Sequence, residues 1–339
     1  MIDHVVTQAL EGDALHAAEI AELFQAPLFS RESALILAAS RRLAELASQG
    51  QAEVHAQVGL NVAPCPNNCA FCSFAAVNGV FRESRELSVA QAVARARQFE
   101  QDGANAIFIM ATADYDFGKF IEMGREIKRN LDPGTVLVAN VGDFDLAEAE
   151  RLKAAGFTGV YHALRLGEGR DTGIAPELRL ATMRHAREAG LSLGTCLEPV
   201  GPEHTVAELV EKTLVTRDAS PAYSGAARRI SIPGTDLSRH GMVSEARMAH
   251  LLAVVRLALP HSVPGNCTHE PNVLGAAAGA NLLWAESGSN PRDTHAETEQ
   301  QRGLTVADCR NILREAEWRV LEGPSRFYTR TIPERVTAG

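Results

Sequence analysis

The run AQVGLNVAPCPNNCAFCSF, residues 56–74, passes from an apolar stretch directly into three cysteines, Cys65, Cys69 and Cys72, spaced four and then three apart. Seven further apolar runs follow, at 105–111, 135–141, 158–164, 192–198, 228–232, 261–266 and 280–286. Amphipathic stretches separate them, among them SVAQAVARARQFEQDG (88–103), DLAEAERLKAAG (145–156) and PELRLATMRHAREAG (176–190), each ending in the glycine that commonly stops a helix. Strands alternating with helices imply a parallel sheet, and eight strands are the number that closes a barrel. The expected fold is therefore α/β, a TIM-like (β/α)8 barrel, closed or slightly open, with a doubly wound open sheet as the alternative. In a barrel, the segment after the first strand stands at the C-terminal mouth, where active sites form. The cysteines fall there.

The chain has 339 residues, 45% of them hydrophobic and 5% aromatic, enough for one barrel with an aliphatic core and short extensions. A formal charge of −9 and no dense basic run argue against a nucleic-acid partner and for a small-molecule substrate. No apolar stretch approaches the roughly 18–20 residues of a membrane span, and the first residues lack a basic-then-apolar leader, so a cytoplasmic location is expected. Residues 1–50 read as an N-terminal helical extension of two helices, 3–24 and 30–49, the second capped by Ser30. Residues 51–300 read as the barrel, and residues 301–339 as a C-terminal helix and a tail, IPERVTAG, expected to be loose. The sequence does not indicate an oligomeric state.

Six cysteines are too few and too unevenly placed for a disulfide scaffold, so the crowded three read first as metal ligands. A structural zinc needs four ligands, and no local histidine or second cysteine pair completes the set. A [4Fe–4S] cluster has four irons, and three thiolates leave one of them free. This C-x3-C-x2-C stretch, with Phe71 before the last cysteine, closely resembles the radical SAM superfamily. What the resemblance implies is that S-adenosylmethionine (SAM) binds the free iron and that one-electron reduction cleaves it. A 5′-deoxyadenosyl radical then takes a hydrogen atom from the substrate. Reduced flavodoxin or ferredoxin is the implied electron donor. The rival readings are a non-catalytic iron–sulfur electron-transfer protein and a zinc-stabilised binding module.

The resemblance extends over about residues 50–320 and is strongest to the group containing biotin synthase, the [FeFe]-hydrogenase maturase that acts with SAM, and methylornithine synthase. It implies that Met110, Ala111 and Thr112, at the end of the second strand, lie against SAM in place of the group's usual Gly-Gly-Glu. It further implies that Arg165 and Glu168, in YHALRLGEG, address the amino-acid part of SAM. Glu198, at the end of the fifth strand, is expected either to bond the SAM amine or ribose or to pair with Arg228 or Arg229.

In biotin synthase a second iron–sulfur cluster donates sulfur from cysteines on strands two, three and five. Here the first two positions align with Ile109 and Val138, which cannot ligate, whereas Cys196 falls at or beside the third. Cys267, at the end of the seventh strand, is placed to face Cys196 across the mouth, and with His269 and Glu270 forms a cluster of candidate catalytic or ligating groups on a βα-loop. Sulfur insertion by way of a possible second cluster therefore stands as the alternative to rearrangement, fragmentation or bond formation. Cys309 reads as a core residue of an amphipathic helix. Asn281, Glu286, Asn290, Arg292 and Asp293 predict a polar C-terminal lid and a polar substrate.

Overall fold

A computed structural model describes residues 2–329. Eight parallel strands follow one another in chain order: β1 (Gln51–Gly59), β2 (Ala106–Met110), β3 (Val136–Asn140), β4 (Gly159–Tyr161), β5 (Ser192–Gly194), β6 (Tyr223–Arg228), β7 (Gly265–His269) and β8 (Leu282–Gly288). β8 pairs with β1 in the register Glu53↔Leu282 to Gly59↔Gly288, which closes the barrel. Beyond β5 the chain breaks at Thr195 and Cys196 and resumes as a short strand, Leu197–Val200, that stays on β6 with a register irregularity.

The helices between strands start where the sequence supplies caps. Ser88 with Gln91 opens α4 (Val89–Gln101), Asp145 with Glu148 opens α6 (Leu146–Ala154), and Thr205 with Glu208 opens α8 (Val206–Asp218). Each pair satisfies backbone N–H groups that the first turn would leave bare. No helix among the described residues is long and apolar enough to cross a membrane.

Three expectations shift. Residues 3–24 form two helices, α1 (Ile2–Glu11) and α2 (Ala17–Gln25), because Gly12 takes a left-handed φ of 85° between them; α3 (Arg31–Ser48) starts at Ser30, whose hydroxyl accepts the Ser33 N–H. The sixth strand is Tyr223–Arg228 rather than 228–232. RRISI has the better strand composition, but β6 must approach β7 closely, and only YSGAAR has a glycine for it: a Cβ on Gly225 would lie 2.1 Å from the Cys267 carbonyl oxygen. The seventh strand starts after Pro264, which has no N–H to give the ladder, so Cys267 is inside the strand and not on the following loop.

The barrel interior is aromatic. The His55 ring is ringed by Phe108, Tyr223, Trp284, Phe327 and Tyr328, whose centroids lie 5.5–6.3 Å from its own. Phe327 and Tyr328 come from the segment after α11 (Val306–Glu315) and seal the N-terminal end of the barrel. Buried Glu53 fastens that segment, accepting bonds from the Ser325 hydroxyl (2.5 Å) and the Arg326 N–H (2.7 Å). The helical C-terminal extension thus packs on the barrel flank, where the Cys309 thiol meets the Trp284 carbonyl at 3.2 Å, away from the mouth. What reaches the mouth is the loop after β8. The expected tail, 332–339, lies outside the described residues.

Candidate functional site

The cysteine loop is fixed by its own backbone. The Cys65 N–H bonds the Phe74 carbonyl (2.7 Å), the Cys72 N–H bonds the Cys69 carbonyl (2.9 Å), and the Asn78 amide spans the carbonyls of Cys69 and Cys72 at 3.3 and 2.8 Å. Neighbouring loops hold it over the barrel: the Ala70 N–H bonds Asp171 (2.8 Å) and the Ser73 N–H bonds Pro291 (2.9 Å). All three thiols line the cavity at the C-terminal mouth. Burial holds each above the usual thiol range, Cys72 at about 12, and for Cys69 and Cys72 the neighbouring cysteines add to the effect. They are therefore thiols in the protein alone, and a bound cationic metal is what draws their protons off.

Arg165 and Glu198 line the same cavity, with the guanidinium Nε 3.6 Å from the carboxylate. Burial opposes the Arg165 charge, but Glu198 and Glu168 more than offset it. Glu198 does not pair with Arg228 or Arg229; Arg229 is held by Glu203, and Arg228 reaches Glu245 only at 3.4 Å. Glu168 faces away from the cavity. Its carboxylate accepts the Arg165 N–H (3.2 Å) and the Thr172 hydroxyl (2.7 Å) and stands 3.4 Å from Arg179.

Met110, Ala111 and Thr112 form one wall. The N–H groups of Ala111 and Thr112 are committed to Asn140 (3.0 Å) and Asn61 (2.9 Å), so the segment offers a ligand a small-residue surface rather than free donors. His269 lines the cavity, while Glu270 is bound by Arg302 (2.5 Å) and Arg292 (3.3 Å) in a rim network that includes Glu286 and Asp293. Asn281 is buried at the other end of β8, where its amide ties Asn266 and Pro264, whereas Asn290 and Arg292 reach the cavity.

Cys196 and Cys267 do meet, but below the mouth, in the barrel interior, with their sulfurs 2.7 Å apart. With a His269 ring nitrogen they form a group whose ligand atoms all lie within 4.8 Å of one another, the one such group among the described residues.

Gln57, Asn140 and Tyr161 also line the cavity and escaped the sequence reading, and Arg228, read there only as a partner for Glu198, lines it too. A signal existed for these three: each is a polar group at or near the C-terminal end of a strand, the position that faces a barrel mouth, and in Asn140 and Tyr161 it ends an otherwise apolar strand.

Residues 64–213 match the family model described as the Radical SAM superfamily. The chain is 26% identical to a biotin synthase of Desulforudis audaxviator over 297 residues, 83% of this chain and 89% of that one. It is 29% identical to a biotin synthase of Xanthomonas euvesicatoria over 227 residues, but spans only 64% of that relative's length. Among solved structures it is similar to the FeFe-hydrogenase maturase HydG of Carboxydothermus hydrogenoformans, with a TM-score of 0.79, 18% identity and coverage of 96% of this chain and 80% of that one. Methylornithine synthase (PylB) follows at 0.77, with 16% identity and coverage of 95% and 98%.

Proposed function

From the premise that the chain belongs to the radical SAM superfamily and is an enzyme, we propose that Cys65, Cys69 and Cys72 hold a [4Fe–4S] cluster with one open iron, at which SAM binds. When bound, that cluster supplies the electron for reductive cleavage of SAM and, through it, hydrogen-atom abstraction from the substrate. The observation that carries the reading is that three thiols, the cysteines of this cavity among the described residues, line it together with the Arg165–Glu198 pair.

The residues divide the remaining work. Arg165 offers a bidentate fork to the carboxylate of SAM, and Glu198 accepts from its amine or ribose. Glu168 acts through Arg165, fixing its main chain. Five arginines line the cavity against one carboxylate, Glu198. Three of them, Arg179, Arg229 and Arg292, have carboxylates within 3.0 Å, whereas Arg165 stands 3.6 Å from Glu198 and Arg228 reaches Glu245 and the Val243 carbonyl only at 3.4 Å, with Arg165 already assigned to SAM. The substrate is therefore a small polar molecule with an anionic group, met by Arg228. Reduced flavodoxin or ferredoxin supplies the electron.

The test is iron and sulfide content after anaerobic reconstitution, with SAM cleavage assayed under a one-electron reductant. Replacing Cys65, Cys69 or Cys72 by Ala abolishes cleavage while the far-ultraviolet circular dichroism stays that of the parent. A variant that still cleaves SAM overturns the assignment.

A further inference from the structure

The second group of soft ligands lies deeper than the triad and is built differently. Cys196 stands at the break after β5, Cys267 in the middle of β7 and His269 at the end of β7. Cys267 is fully buried and Cys196 nearly so. The two thiols come from strands that are not neighbours; β6 runs between them, and Gly225 lies beside Cys267, where a Cβ would meet the Cys267 carbonyl oxygen at 2.1 Å. His269 is locked by stacking on Trp284, with centroids 4.6 Å apart and planes within 14°, and its buried Nε2 has no hydrogen-bond partner. A buried ring nitrogen without a partner is costly and points to an absent ligand.

We propose that Cys196, Cys267 and His269 bind a single thiophilic divalent ion, zinc or ferrous iron, with one coordination position open toward the cavity.

Three features favour one ion over the other ways of using two thiols. A disulfide needs sulfurs at about 2.05 Å and Cα atoms within about 7 Å, which suits adjacent strands better than two strands with a third between them. Two sulfurs on one tetrahedral zinc stand about 3.8 Å apart for Zn–S bonds near 2.3 Å. From 2.7 Å that is an opening of about 1.1 Å, within the reach of side-chain rotation. A multi-iron cluster spreads its ligands over two or more metal atoms bridged by sulfide and needs room for them, whereas the interior beside this compact group is closed by Val138, Phe108 and Tyr223.

The charges also balance. Binding releases two thiol protons to solvent, and a divalent ion with two thiolates and a neutral imidazole carries no net charge, which an aromatic interior tolerates. His269 and Tyr161 both line the cavity above the thiols, so the fourth position opens on the substrate side. An ion there would hold a Lewis-basic group of the substrate, a role separate from that of the triad.

The experiment uses the full chain carrying Cys65→Ala, Cys69→Ala and Cys72→Ala, so that the triad holds no metal and failure of the cluster assignment does not enter the result. The reduced protein is titrated anaerobically with cobalt(II) as a spectroscopic probe, then with zinc. About one equivalent is expected to bind with a thiolate-to-cobalt charge-transfer band and tetrahedral visible bands, displaced by zinc. Adding Cys196→Ser or Cys267→Ala lowers affinity by about a hundredfold or more, and His269→Ala weakens it and alters the visible bands. If the triple variant does not fold, the same substitutions are made in the reconstituted wild-type chain and zinc is counted beside iron. The proposal is overturned by uptake that is absent or indifferent to Cys196 and Cys267. It is equally overturned by a Cys196–Cys267 disulfide persisting in the reduced protein, or by acid-labile sulfide that disappears with either cysteine.

Discussion

His162 is buried between the Asp143 carboxylate, 2.9 Å from its Nε2, and the Arg179 guanidinium at 3.3 Å. Burial pushes it down to about 4 against the pull of Asp143, with Arg179 adding to the shift. In the unfolded chain it titrates near 6.5, so between the two values the unfolded state binds the proton and the folded state does not. Stability is complete above pH 6.5 and falls by about 3 kcal/mol as the pH drops to 4. Urea unfolding of the parent across that range is expected to show the slope, and His162→Gln, which keeps a donor for Asp143, is expected to flatten it. Single residues were legible where chemistry repeats at short range, as in Cys65, Cys69 and Cys72. The partner of Glu198 was not, since Arg165 meets it only once β4 and β5 lie side by side. The bonds of Glu168 were not legible for a related reason: its carboxylate accepts the Arg165 N–H and the Thr172 hydroxyl only once the loop after β4 has folded back on itself.

Among the elements, β6 shows how packing overrides composition. Gly225 has a φ of 142°, and any Cβ there meets the Cys267 backbone at 2.1 Å. Gly225→Ala is expected to cost about 3 kcal/mol through strain and overpacking, read as a lower denaturant midpoint with an unchanged slope. Helix starts were legible because a cap and its helix are a few residues apart, as with Thr205 and Glu208. Strand ends were less so. The limits of β6 and β7 depend on which residues can approach one another across the sheet, and RRISI carries no mark of lying beyond its edge.

For the molecule as a whole, eight βα units were countable because each is a local pattern, but their closure joins β1 to β8 from opposite ends of the barrel sequence. The seal at the bottom is remoter still. A Cβ on Gly159 would lie 2.6 Å from the Tyr328 ring, and one on Gly265 would lie 2.9 Å from the Phe327 ring, so these two strands are shaped to the plug. Phe327→Ala is expected to destabilise by about 3–5 kcal/mol, checked by chemical denaturation of the metal-free protein, with SAM cleavage retained at temperatures where the barrel stays folded. The plug also imposes an order on biosynthesis. A ribosome must deliver β8, α11 and the residues through Tyr328 before the aromatic interior is dry, so the nascent barrel stays open at its floor until almost all of the described chain has emerged. During that interval Cys196 and Cys267 are within reach of ions and oxidants from below, and the entry by which they are first loaded need not be the mouth at which the substrate later arrives.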